Sequence, residues 1–277
     1  MRHVLWSCAR SELALAVRSR LLVTFALVFG CLTLLVASSG YILTGGTGLQ
    51  DFSRTSASLV ELVLLIVPLA SLVIGVAALT PEPGAAELLF SQPAARHVIV
   101  GGKLIGLFIS LAAAEAIGFG ASGLVLFLRT GESGAAGFAG VVGAALTLTA
   151  IFLSIAAAIT AGATSRRRAR GLATSLVIWF ALVVLFDVAM LGVASWLASG
   201  PASRVLIVSA IVNPVDAVRT ATLLALEGTT AFGAASLAFL RFTHGTAGAA
   251  LWLGASALAW IAGSLGVAHA RLSRCDI

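Results

Sequence analysis

The sequence predicts an all-α membrane protein: six transmembrane helices, an N-terminal amphipathic interfacial helix and a short cytoplasmic helix between the second and third spans. Three observations predict it. Hydrophobic residues make up 60% of the 277 positions and charged residues 10%, where a soluble domain carries about 25% charged. The apolar blocks are continuous and long enough for the roughly twenty residues that a helix needs to cross a bilayer, unlike the alternating ten-residue segments of a barrel. The basic residues also fall unevenly between the intervening segments. The net charge of +6 is therefore read as a topology signal and not as a sign of a nucleic-acid partner.

Residues 2–20 interleave Arg2, Arg10, Glu12, Arg18 and Arg20 with Val4, Leu5, Trp6, Leu13, Leu15 and Val17. Mixed faces of this length suit a helix lying in the membrane interface, with Trp6 as an anchor. The apolar run after it is too long for the core of a cleavable signal peptide, so it is read as an uncleaved first span. The six spans are placed at 21–43, 58–79, 104–128, 138–163, 172–198 and 247–269, all within one membrane domain over 1–277.

With the N-terminus inside, the inner segments hold Arg2, Arg10, Arg18, Arg20, Arg96, Lys103, Arg166, Arg167, Arg168, Arg170, Arg271 and Arg274. The outer ones hold only Arg54, Arg129, Arg204, Arg219 and Arg241. The positive-inside rule then puts both termini of this multi-pass protein in the cytoplasm.

Between the second and third spans, residues 80–103 form a polar island. Thr80-Pro81-Glu82-Pro83-Gly84 opens it. Ala85-Ala86-Glu87-Leu88-Leu89-Phe90 has the composition of a short helix, and Ser91-Gln92-Pro93 closes it ahead of Arg96 and Lys103. The outer segment 199–246 contains Val205–Val212, apolar but too short to cross. There follows Asn213-Pro214-Val215-Asp216-Ala217-Val218-Arg219, where Asn213 suits an N-cap and Pro214 the first helical position. Residues 214–226 are thus predicted as a surface or re-entrant helix, with Asp216 and Arg219 on one face. A seventh span over 205–226 is the weaker reading, because it would bury those polar residues together. Ala231–Phe242 is predicted as a further interfacial helix.

No catalytic constellation is visible. Gly101-Gly102-Lys103-Leu104 lacks the upstream glycine and the Ser/Thr of a phosphate loop. Cys8, Cys31 and Cys275 form no C-x-x-C pair. His3, His97, His244 and His269 are scattered without metal-ligand spacing, so neither a metal site nor a bound cofactor is expected. Glu61, Glu115 and Asp187 fall inside spans. A carboxylate there faces the protein interior or a watery cavity. Glu115 and Asp187 are candidates either for the lining of a translocation path or for hydrogen bonds that hold the bundle. Glu61, near an outer end, fits the second role. Small-residue spacings such as Gly102–Gly106 allow close helix approach, although a chain with 29 glycines carries several by chance.

The island (Gly84-Ala85-Ala86-Glu87-Leu88-Leu89-Phe90-Ser91-Gln92-Pro93, then Arg96 and Gly102-Lys103) resembles the permeases of ABC-2-type transporters. Trp179-Phe180, Leu185-Phe186-Asp187, Asn213-Pro214-Val215-Asp216 and the ending Arg271 to Ile277 resemble the branch of that family that serves multicopper-enzyme maturation. The resemblance implies a coupling helix carried by Glu82, Gly84, Glu87, Leu88, Leu89, Pro93 and Arg96. It also implies a homodimer of six-span subunits in membrane lipid, held by two copies of a cytoplasmic ATPase that binds ATP and magnesium. A periplasmic accessory protein would meet the outer face at Asn213, Pro214, Asp216 and Arg219. The implied role is export of a sulfur species for the copper–sulfide centre of nitrous oxide reductase. Pro81-Glu82-Pro83 departs from the Gly-Glu pair usual in the family and stiffens the approach to the helix. Another cargo (lipid, peptide or drug) and a non-transporting scaffold or sensor are the alternatives.

Overall fold

The computed structural model describes residues 2–44, 49–80, 96–130, 132–161, 168–228 and 234–274, and among them every regular element is a helix. In order these are α1 (Arg2–Val17), α2 (Arg20–Thr44), α3 (Leu49–Leu79), α4 (Arg96–Thr130), α5 (Glu132–Thr160), α6 (Arg168–Phe180), α7 (Phe186–Ser195), α8 (Ser199–Val212), α9 (Pro214–Glu227), α10 (Ala234–Phe242) and α11 (Thr246–Arg274). Six spans are long and apolar enough to cross a membrane: α2, α3, α4, α5, the pair α6–α7, and α11. The protein is an all-α membrane protein.

The helices outrun their apolar segments. The third begins at Arg96 and not at 104, so Arg96–Lys103, expected within the polar loop, is helical. The last proline before it is Pro93, and between Arg96 and Lys103 the Gly101-Gly102 pair weakens the helix without breaking it. Likewise α3 starts at Leu49 and not at 58, so it takes in Arg54 of the outer segment. The proposed short helix, with Glu82, Gly84, Glu87, Leu88, Leu89 and Pro93, lies outside the described residues.

The central element is α5. Its positions Val141, Ala144, Ala145, Leu148, Ile151, Phe152, Ile155 and Ala156 recur at helical spacing and are all buried. They face Leu59, Val60, Val63, Val67 and Leu72 of α3 and Leu107, Leu111 and Phe119 of α4 in one contiguous core. An aromatic chain crosses three helices, with Phe29–Phe119 at 5.0 Å and Phe119–Phe138 at 5.5 Å between ring centroids, both edge to face. This geometry suits the ring quadrupoles. Spans α2 and α4 cross closely at Gly30 and Gly118, where a side chain on Gly118 would meet the Phe29 ring at 2.6 Å. Thr33 Oγ1 donates to the Gly118 carbonyl at 3.0 Å.

At one end of the bundle, here the near end, α1 lies against the start of α4. Gly102 and Gly106 make the seam. A Cβ on Gly102 would stand 2.6 Å from the Leu5 carbonyl oxygen, and one on Gly106 would stand 2.5 Å from that of Ala9. Small residues let the two backbones meet, and Lys103 Nζ reaches Glu12 Oε2 at 3.5 Å across the seam. Trp6, Leu15 and Val17 are exposed on the remainder of α1. The near end also gathers His97 and His269, whose rings lie 5.7 Å apart. Their separation of 172 positions in the chain gave no hint of that meeting.

At the opposite, far end, α8 and α9 form a hairpin bent by 101° at Asn213. The bend excludes a straight helix over 205–226 and makes the pair a broken span or a re-entrant loop. A second small core of Ile207, Ala217, Phe239, Ala249 and Leu253 joins α8, α9, α10 and α11 there.

Candidate functional site

The far-end hairpin is fixed by Asn213, the residue at its apex. Its Oδ1 accepts from the Val215 N–H at 3.1 Å and so caps α9, with Pro214 in the first turn. Asx residues in this role satisfy an otherwise unpartnered helix-terminal donor. The amide nitrogen of the same side chain donates to the Leu182 carbonyl at 2.8 Å and to Asp216 Oδ2 at 3.2 Å. Leu182 lies in a π-helical turn, Ala181–Leu185, between α6 and α7. Wide turns of this kind insert one residue into a helix and disturb the regular carbonyl ladder. Asn213 thus ties the hairpin to the irregular part of the fifth span.

One turn further along α9, Arg219 reaches two other spans. Its Nη1 donates to Asp187 Oδ2 on α7 at 3.3 Å, and its Nη2 pairs with Glu61 Oε1 on α3. Glu61, Asp187 and Asp216 surround this one guanidinium, so carboxylates outnumber it. The pairs are partly exposed, with side-chain accessibilities of 33% for Arg219 and Asp187 and 53% for Glu61. Beside them lies a cavity of about 490 Å³, whose floor is Asp187, Asp216 and Arg219 and whose walls include Met190, Leu206, Ile207 and Phe239.

The sequence-predicted residues therefore separate into two places. Asn213, Pro214, Asp216 and Arg219 sit together, as expected of one helix start, and Asp187 and Glu61 join them. Glu115 does not share a lining with Asp187. It is 1% exposed within the core of the bundle. Its Oε1 accepts from Thr149 Oγ1 on α5, and Thr149 accepts from Ser71 Oγ on α3 at 3.4 Å. Its Oε2 is buried without a hydrogen-bond partner among the described residues. Arg96 is the first residue of α4, and the other expected coupling residues are not described.

Sequence reasoning missed two parts of the site. The π turn has neither Pro nor Gly to announce it. Glu61 lies near a span end, and nothing local pairs it with a cation 158 positions away. Arg219 is the available signal: a cation at that depth calls for carboxylates from neighbouring spans in addition to Asp216 on its own helix. Trp179 and Trp260 each lock one helix to another. Their indole N–H groups donate to the Leu65 and Val212 carbonyls at 3.0 and 2.9 Å. The first bolts α6 to α3 beside Pro68, which removes a backbone donor from α3.

Among the described residues, no group of three or more His, Cys, Asp or Glu side chains is placed to hold a metal ion. What the cluster can do is mechanical and electrostatic. It ties α9 to α3 and to the fifth span. Comparison with known proteins gives this arrangement its context. The model of the ABC-2 family transporter proteins matches residues 6–277. The chain belongs to the ABC-2 transporter family. It is the permease subunit of an ABC transporter, a membrane transporter component and not an enzyme. The probable ABC transporter permease protein NosY of Pseudomonas aeruginosa is 33% identical over 280 residues, covering 99% of each chain. Its namesake from Stutzerimonas stutzeri is 32% identical over 278 residues, covering 97% of this chain and 98% of the relative. Among ABC-2 permeases this one is NosY-like.

Proposed function

We propose that this ABC-2 permease exports a sulfur-containing species for assembly of the copper–sulfide centre of nitrous oxide reductase, driven by a separate ATPase. The observation that carries the proposal is the near-complete alignment with two NosY permeases. In this reading the near end is cytoplasmic, in keeping with the bias of basic residues, and the subunit acts as a homodimer in a bacterial inner membrane. Two ATPase copies, which bind the ATP and magnesium, engage the segment around Glu82, Gly84, Glu87, Leu88, Leu89, Pro93 and Arg96. Because α1 and α4 are joined at Gly102 and Gly106, a push on that segment moves both. The far-end cluster of Asn213, Asp216, Arg219 and Asp187 carries the response to a periplasmic accessory protein. Glu115 is held as a candidate group on the translocation path.

Such coupling requires that the two nucleotide states differ in contact free energy with the permease. The test is Glu87→Arg together with Leu89→Asp in the full transporter. The expected result is loss of the copurifying ATPase and of nitrous oxide reductase maturation. Retention of both would sink the coupling role. Loss of ATPase with a reductase still matured would sink the cargo assignment. The cavity of about 490 Å³ with apolar walls and a charged floor favours a second reading, an amphiphilic cargo. That reading predicts stimulation of the ATPase by an added amphiphile, which the first does not.

A further inference from the structure

A second cavity, of about 530 Å³, opens at the near end between α5, α6 and α11. Two arginines bound it, Arg170 and Arg271, and no carboxylate is among its lining residues. Arg271 Nη1 donates to the Ala158 carbonyl in the last turn of α5 at 2.8 Å, which fixes its guanidinium at the rim. A guanidinium has five N–H donors, so one such bond leaves others to offer. Arg170 stands in the first turn of α6, where the helix N-terminus also favours an anion. Among the described residues neither arginine is paired with an acid. Below the rim the wall is mainly apolar, with Ile155, Ile159, Ile178 and Val267, and its one hydroxyl, on Thr174, is turned to the Arg170 carbonyl at 2.9 Å. Arg170 and Ile178 are eight positions apart on one helix, so the slot runs roughly 12 Å inward from the charged rim. A cationic rim at the membrane boundary above a hydrocarbon slot matches an amphiphile with a negative head.

We propose that this crevice binds an anionic phospholipid, its phosphate held between Arg170 and Arg271 and an acyl chain laid along Ile155, Ile159, Ile178 and Val267. The site is independent of the cargo and of the far-end cluster. Basic pockets between transmembrane helices recognise acidic headgroups by the same chemistry.

The test is native mass spectrometry of the full-length protein, loaded with phosphatidylglycerol or with phosphatidylcholine of the same chains. The unmodified protein should retain the phosphatidylglycerol preferentially. Arg170→Gln should weaken that retention about fivefold, the worth of roughly one basic residue near a membrane surface, and leave phosphatidylcholine unchanged. Val267→Trp, which keeps both charges and fills the slot, should weaken it as well. Equal retention of the two lipids, or no effect of Arg170→Gln, overturns the proposal. Displacement of the lipid by millimolar inorganic phosphate with Val267→Trp silent would reduce the site to an anion site and also overturn it. A Thr174→Cys variant that cross-links to a second copy would assign the crevice to a protein interface instead.

Discussion

Arg219 on α9 and Asp187 on α7 meet at 3.3 Å, Nη1 to Oδ2, and the same guanidinium continues to Glu61 on α3. The bent α8–α9 pair is thereby tied to two of the spans. Both partners of the first pair are one-third exposed, so solvent screening keeps its direct worth modest. A double-mutant cycle with Arg219→Gln and Asp187→Asn should give a coupling energy of about 0.5–1 kcal/mol. Arg219→Gln alone should cost more, about 1–2 kcal/mol, because it removes both ion pairs at once. Reversible unfolding in mixed micelles measures both. Additive single effects would show that the pair is incidental.

Asn213 makes two kinds of bond, and substitutions can separate them. Asn213→Asp keeps the acceptor that caps α9 but loses the donor to Leu182. Asn213→Ala loses both. The alanine variant should be destabilised by about 1–2 kcal/mol for the cap alone, with the lost Leu182 bond in addition. The aspartate variant should keep the cap but lose the amide's bonds to Leu182 and Asp216, with new repulsion from Asp216. Hydrogen exchange at the amide of Val215 should quicken in the alanine variant and stay protected in the aspartate one.

At the near end, Gly106→Leu should lift α1 from α4, because even a Cβ would stand 2.5 Å from the Ala9 carbonyl oxygen. Cys8, half-buried in that seam, reports the change. In a background with Cys31 and Cys275 replaced by Ser, maleimide labelling of Cys8 should speed up severalfold. Gly101→Leu, where nothing lies within 4 Å of a Cβ, should leave the rate as it was.

Glu115 offers a test of whether its carboxylate works or only packs. Glu115→Ala removes a fully enclosed side chain and its bond to Thr149, and should lower stability by about 2–4 kcal/mol. Glu115→Gln keeps the volume and an oxygen for Thr149, and should stay within about 1 kcal/mol of the unmodified protein. If the glutamine variant is stable yet fails to support reductase maturation, the carboxylate is needed on the translocation path. If it functions normally, Glu115 is a packing residue.

The sequence shows the spans because hydropathy is a property of each segment alone. It shows the start of α9 because Asn-Pro followed by Asp is a local signal whose physics lies within four residues. It also marks Gly102–Gly106 as a place where helices could meet, without saying which helix arrives. What it hides is tertiary. Glu61 finds its partner only when α9 folds back against α3. Glu115 parts company with Asp187 because depth in a span does not set which way a side chain faces. The early start of α4 at Arg96 escaped a reading that stopped the helix at its last charge, Lys103, since a helix continues past the bilayer as long as nothing breaks it.

The π turn at Ala181–Leu185 acts as a phase shift within the fifth span. Each residue of a regular helix advances about 100° around the axis, so one extra residue in a turn rotates everything beyond it by that amount. Without it, Trp179 and Asp187 would keep the angular relation of an unbroken helix. With it, Trp179 points to the Leu65 carbonyl while Asp187 meets Arg219. The fifth span thereby addresses two neighbours from faces that one regular helix would not offer in that combination. If the turn relaxed to a regular helix, the residue it absorbs would have to go elsewhere, and Asp187 would swing away from the guanidinium. The span is thus geared: a local change of winding near its middle becomes a rotation at its far end.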